Sequence, residues 1–323
     1  MKRLLKIVCL GGGNGMPKAV LLGLKKYPVK ISAVSATLDT GTSSGRLRRG
    51  FKTGISFGDI RRAALALSEA DAKTKSYFAY RDWDGHVMAN VFCTAMVAAT
   101  GSQETAIEGL QAKLKVPRHH EILPVTLDDA NICAVLENGQ TIVGEANIDV
   151  PKHNSNLRIK SVYLEPKAKA YSKALKAIES ADLITIGPGD LYSSLAQVLL
   201  VDGIPQALKK SKAKKIYICN LMQKHGETDH FMVQDFVAQI EKLLGGAVDF
   251  VIYNETKPDI RRIALYKKEH PEFLDVVENR TSDLRFIGAD LITYSGSIAH
   301  DPDKLAKVIL STCPVVKIRH LSR

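Results

Sequence analysis

Ile7-Val8-Cys9-Leu10-Gly11-Gly12-Gly13-Asn14-Gly15-Met16-Pro17 runs an apolar strand straight into a glycine cluster and then into an amphipathic helix. The first N–H groups of a helix have no partner inside it. Glycines beside them permit close approach, so the turn is a site for a phosphate at Gly12, Gly13, Asn14 and Gly15. Pro17 suits the first helical turn, where its missing N–H costs nothing. One anion at such a terminus gains only about 0.3–2 kcal/mol from the dipole, so other groups must supply the rest of a useful affinity. The common fingerprints do not fit. Gly11, Gly13 and Gly15 stand at relative positions one, three and five with Met16 at six, and no Gly-Lys-Ser/Thr opens the helix. The alternative reading is an ordinary tight turn between a strand and a helix.

Working outward, 323 residues suffice for one large domain or two, and a chain of this size buries roughly 75% of its unfolded surface without staples. We read residues 1–323 as a single α/β unit. Five cysteines (Cys9, Cys93, Cys133, Cys219, Cys313) are odd in number and mostly lie in apolar runs, which suits buried thiols in a reducing cytoplasm. No Cys-x-x-Cys or zinc spacing occurs, and His119-His120, His225 and His230 read as surface residues. The basic start is followed by too short an apolar stretch for a signal peptide, and the apolar segment near Val87–Thr100 is too short to span a bilayer. Net charge is +11, yet the lysines are spread over helical segments without an aromatic platform. Neither a nucleic acid nor a membrane partner is expected.

Strand and helix patterns alternate through the first third: Leu4–Leu10, Lys30–Ala36 as strands; Pro17–Lys26, Asp59–Ala70, Val87–Thr100 and Gln103–Leu114 as helices. Such alternation argues for a parallel sheet covered by helices. Short strand-like runs at Glu121–Thr126, Asn131–Glu137, Gln140–Gly144 and Leu157–Leu164, with a hairpin signal at Asn138-Gly139, predict a small antiparallel insertion over about 118–166. Strands at Asp182–Ile186, Lys215–Asn220 and Val248–Tyr253 then alternate with helices at Ala170–Ser180, Ser194–Leu200 and His230–Leu244. Residues 254–323 carry a mixed pattern that assigns no element.

In open parallel sheets, ligands lie beyond the carboxyl ends of the strands, so the residues after each strand matter most. Thr37 to Arg48 follows the second strand, and the hydroxyls of Ser43 and Ser44 suit phosphate oxygens or a ribose. Arg46 or Arg48 is placed to pair with phosphate charge. Asp39 is open to three uses: a ribose contact, one carboxylate on Mg²⁺, or a base. The same cluster also reads as a helix N-cap, as does Asp59. Asn90 enters an apolar helix and is either tied to backbone or turned to a ligand. His86 is a candidate acid or base, or simply structural. A second glycine loop, Gly187-Pro188-Gly189-Asp190, leads through Ser193 into a helix, and Asn220 leaves a further strand. Two strand–glycine–helix turns at one sheet edge are far rarer by chance than one.

Taken in order, Gly-Gly-Gly-Asn-Gly at 11–15, Ser-Ser-Gly-Arg-Leu-Arg at 43–48, Gly-Asp-Ile-Arg at 58–61, Gly-His-x-x-Ala-Asn at 85–90, Gly-Pro-Gly at 187–189, Asn-Leu-Met at 220–222 and Gly-Glu-Thr at 226–228 resemble the YvcK/CofD-like family. That family joins gluconeogenesis factors with 2-phospho-L-lactate transferases, and the similarity, over about 7–253, is nearer the first branch. The resemblance implies a Rossmann-like three-layer α/β fold with a mainly parallel sheet, and a nucleotide diphosphate bound at the sheet edge. It implies a UDP-sugar such as UDP-N-acetylglucosamine, in a cytoplasmic regulator of cell-wall precursor metabolism and cell shape. In the transferase branch it implies Mg²⁺, with Asp39 as metal ligand or base. The expected ligand set is Gly12, Gly13, Asn14, Gly15, Asp39, Ser43, Ser44, Arg46, Arg48, Asn90, Gly187, Pro188, Gly189, Asp190, Ser193 and Asn220, in a chain expected as a homo-oligomer. Two departures stand out. Asp39-Thr40-Gly41-Thr42 replaces Asp-Asp-Gly-Gly, removing one carboxylate available to Mg²⁺, and Arg62 stands where the family has Asn. An NAD-dependent dehydrogenase is the third reading, and the glycine spacing disfavours it.

Overall fold

A computed structural model describes residues 3–313. Its centre is a seven-stranded sheet of β1 (Leu5–Gly11), β2 (Val29–Ser35), β3 (Glu121–Pro124), β7 (Leu183–Ile186), β8 (Lys214–Ile218), β10 (Phe250–Asn254) and β12 (Phe286–Ala289). The spatial order is β12-β10-β8-β7-β1-β2-β3, and every pairing is parallel. Side chains alternate across it. Ile7 and Cys9 of β1 enter one core and Val8 and Leu10 the other, so both faces are covered and the strands read as continuous apolar runs. The helices Gly58–Leu67, Gln103–Lys113 and Pro302–Ser311 close the first face. The helices Ser172–Glu179, Ile204–Lys210 and Val233–Leu244 close the second. This is the expected Rossmann-like three-layer α/β architecture.

The connectivity fixes where a ligand can go. From β1 the chain steps outward through β2 to β3, then returns to β7 on the other side of β1 and steps away through β8, β10 and β12. β1 and β7 are therefore neighbours whose connections diverge, and such a switch point opens a crevice at the strands' carboxyl ends. Both glycine loops leave these two strands. Each leads into a helix whose first turns are of the wide π type, Met16–Leu21 and Leu191–Ala196, a form often found at functional positions.

The insertion is smaller than expected. β4 (Asn131–Leu136), β5 (Thr141–Val143) and β6 (Ile159–Glu165) form an antiparallel sheet of three strands in the order β5-β4-β6, with Gly139 turning the β4–β5 hairpin at positive φ. Glu121–Pro124, assigned from sequence to this insertion, instead pairs with β2 as the parallel edge of the main sheet. A four-residue apolar run carries the same signal for either sheet, and only the crossover decides.

Residues 254–313 are ordered by packing that no local pattern reveals. β12 completes the main sheet, and Pro302–Ser311 lies on the helix after β1, so near that a Cβ on Gly23 would stand 2.0 Å from the Pro302 carbonyl. A second short pair, β9 (Met222–Lys224) with β11 (Phe273–Val276), lies near the end of β8. Met1, Lys2 and residues 314–323, part of the span read as one unit, lie outside the described residues.

Candidate functional site

The two glycine loops touch. Gly187 N–H donates to the Leu10 carbonyl at 2.9 Å, which ties the second loop to the end of β1. A Cβ on Gly15 would stand 2.3 Å from the Pro188 carbonyl oxygen, so glycine is needed there for the loops to meet. Asn220, leaving β8, braces the second loop by accepting from Gly189 N–H at 3.3 Å. Gly12, Gly13, Gly15, Gly187, Pro188, Gly189 and Asn220 are thus gathered at the β1/β7 switch point, with Asn14 exposed at the tip.

Acids and arginines surround the first loop. Asp59 is buried against Gly12, where its Oδ2 stands 2.2 Å from the position a Cβ would take. Burial pushes its carboxyl up, while Arg62 and the Gly13 N–H pull it down. Arg61, one turn into the same helix, is 9% exposed, and its Nε has no hydrogen-bond partner. Burial, then Arg62 and Arg81, lower its guanidinium to about 10. A buried, under-satisfied cation crowded by two others is poised for an anion.

Asp39 accepts from Gly41 N–H at 2.7 Å and from the Ser44 hydroxyl. Glu145, from the insertion's short helix Glu145–Asp149, stands beside it, helped into place by Ala146 N–H donating to the Thr40 hydroxyl at 3.1 Å. Burial, then Asp39 and Asp149, push the Glu145 carboxyl up to about 10, so it keeps its proton at neutral pH. The folded chain holds a proton there that the unfolded chain loses near the ordinary carboxylate value. The associated stability is present in acid and fades as pH rises from about 4.5 towards 10. Glu145→Gln should therefore gain on wild type between pH 5 and pH 9, by at least about 1 kcal/mol at the upper end in urea denaturation. Parallel stability curves would show that Glu145 is ionised.

Several residues of the expected set serve the scaffold. Arg48 is buried, and its guanidinium is spent on the Gly54 carbonyl (3.0 Å), the Ala130 carbonyl and Asp129. Arg46 is exposed and bonds to the carbonyls of Thr42 and Asp84. Ser43 accepts from Val87 N–H at 3.0 Å and Asn90 Nδ2 at 3.1 Å, joining the helices Thr42–Phe51 and Met88–Thr100. Asn90 Oδ1 and His86 Nδ1 remain buried without partners. Ser193 is fully buried and donates to Glu227 at 2.8 Å, while the other Glu227 oxygen accepts from Tyr192 and Ser193 N–H at 3.0 and 3.2 Å. An internal carboxylate thus already occupies that helix terminus, so a phosphate must use the loop ahead of it.

Asp190 belongs to a further cluster. The Lys224 ammonium, nearly buried, meets Asp190 at 2.9 Å, Glu227 at 3.0 Å and Asp149. Burial lifts Asp190 to about 6 against the pull of Lys224. One lysine thereby pins the second glycine loop, the loop after β9 and the insertion together.

Residues 7–292 match the family model described as 2-phospho-L-lactate transferase, CofD. The chain belongs to the CofD family. Within it, the gluconeogenesis factor of Bacillus subtilis is 35% identical, with 94% of this chain and 97% of that one aligned. The gluconeogenesis factor of Listeria innocua is 34% identical, with 96% of each chain aligned. A Bacillus halodurans crystal structure superposes with a TM-score of 0.88 at 32% identity, covering 95% of this chain and all of that one. A CofD-family chain that lacks the second acid after Asp39 nevertheless sets a carboxyl beside it, because Glu145 arrives from the insertion. Sequence reasoning missed Glu145, Arg61 and the Lys224–Glu227 cluster as site residues. Arg61 and Glu227 had a signal, their places in Gly-Asp-Ile-Arg at 58–61 and Gly-Glu-Thr at 226–228.

Proposed function

We propose that this chain is a cytoplasmic regulatory protein that binds a UDP-sugar, with UDP-N-acetylglucosamine as the model ligand, and that it acts on cell-wall precursor metabolism and cell shape. The observation that carries this reading is the contact of two glycine loops at the β1/β7 switch point of the sheet, Gly12–Gly15 against Gly187–Asp190. Arg61, on the helix whose Asp59 packs against Gly12, supplies a cation short of partners, and charge-assisted bonds to phosphate are roughly twice as strong as neutral ones. Asn90 Oδ1 and His86 Nδ1 are further groups awaiting a polar partner. Homo-oligomerisation belongs to the same proposal.

A thermal-shift panel of UDP-sugars, GDP, GTP and NAD(P), with and without Mg²⁺, tests it. UDP-sugars should raise the midpoint most, since a ligand at one hundred times its dissociation constant stabilises by about 2.7 kcal/mol. A response confined to GDP or GTP with Mg²⁺ would favour the second reading, a phospholactyl or phospho-group transferase. That reading draws on Asp39 and Glu145, the two carboxyl side chains that would hold a Mg²⁺ ion.

A further inference from the structure

The insertion brings Ser155 to His225 and Asp229, which lie four residues apart in the loop after β9. Ser155 Oγ lies 2.7 Å from His225 Nε2, and His225 Nδ1 lies 2.7 Å from Asp229 Oδ1. The carboxylate can only accept, so Nδ1 carries the ring proton and Nε2 is left to accept from the serine hydroxyl. Asp229 is itself fixed, because its Oδ2 accepts from Gly226 N–H at 2.7 Å. Gly226 has φ +82°, and a Cβ on it would meet Pro151 at 2.7 Å, so glycine is what lets the Ser155 segment approach the histidine. All three residues are part-exposed, and Ser155 and Asp229 line a cavity of about 430 Å³ together with Asn156, Arg158, Tyr192, Phe231 and Gln239.

We propose that Ser155, His225 and Asp229 form a serine acyl-transfer centre that hydrolyses short-chain carboxylic esters with a polar alcohol portion. A nucleophile, a base on its hydroxyl and an acid orienting the base within hydrogen-bond reach define such a centre on any fold. The polar lining suits a hydroxylated alcohol better than a lipid. Ser155 Oγ attacks the ester carbonyl as its proton passes to His225 Nε2. The tetrahedral intermediate then expels the alkoxide, which takes that proton and leaves as the alcohol. Water, deprotonated by His225, attacks the acyl-serine, and the carboxylic acid departs as the proton returns to Ser155. The backbone N–H of Asn156 is taken by the Asn154 side chain at 3.1 Å, so the oxyanion would have to draw on side-chain donors of the cavity lining, among them the Asn156 amide and the Arg158 guanidinium.

The test treats the full chain with diisopropyl fluorophosphate and locates the adduct by peptide mass spectrometry, alongside turnover of 4-nitrophenyl acetate. Wild type should carry one adduct, on Ser155. Ser155→Ala should carry none and lose turnover, and His225→Gln should react about 100-fold more slowly, with thermal midpoints showing both variants folded. Labelling elsewhere, equal rates in wild type and His225→Gln, or turnover retained by Ser155→Ala would each overturn the assignment. Should Ser155→Ala fail to fold, the labelling site and rate of wild type against His225→Gln decide the matter alone.

Discussion

Lys224→Met should destabilise the fold by about 3–5 kcal/mol at pH 7, a fall in Tm of roughly 6–15 °C. Lys224 holds three carboxylates whose oxygens lie within 4.8 Å of one another, and its own side chain is 6% exposed. Removing the ammonium leaves Asp149, Asp190 and Glu227 facing each other without a counter-charge. Glu227 has no relief, since its oxygens are committed to the start of the helix Leu191–Ala196. The deficit should shrink as pH falls. Burial and Glu227 already push Asp190 up to about 6, and loss of the lysine raises it further, so protonation relieves the cluster in mild acid. Urea denaturation of wild type and variant at pH 7 and pH 5 measures both parts. A loss under about 1 kcal/mol at pH 7 would mean that solvent screens the cluster.

What the sequence made legible was what depends on short periods and turns. The strands β1, β2, β7, β8 and β10 were readable because burial on both faces leaves them predominantly apolar, with polar residues such as Lys6, Lys30, Ser32, Lys214 and Lys215 in the minority. Both glycine loops were readable because each follows such a strand directly. Contacts across long separations were not. Glu145 reaches Asp39 over 106 positions, and Asp149 reaches Lys224 over 75, through an insertion whose docking no local pattern encodes. The helix Thr42–Phe51 hid among a threonine, serines and glycines of poor intrinsic preference, and exists because Leu47 and Arg48 are buried by the surrounding chain. Ser193 is the instructive loss: its position predicted a ligand contact, while a glutamate 34 residues away already holds that helix start.

Gly13→Asp should abolish nucleotide-sugar binding while leaving the fold in place. Gly13 has φ +62°, a conformation that aspartate tolerates better than most residues, at a cost of about 1–2 kcal/mol. The space is open, since the nearest atom to a Cβ there is Ser194 Oγ at 3.5 Å. The new carboxylate would stand beside the N–H that now donates to Asp59, adding a second negative charge to the loop proposed to hold the diphosphate. Repulsion between them, together with the lost approach of phosphate to backbone, removes more than the few kcal/mol a phosphate gains there.

Calorimetric titration of wild type and Gly13→Asp with UDP-N-acetylglucosamine, on samples matched for thermal midpoint, puts the central claim to its most direct test. Saturable one-site binding by wild type and no detectable heat from the variant is the predicted result. A variant that binds as tightly as wild type would place the ligand away from the meeting of the two loops and contradict the account.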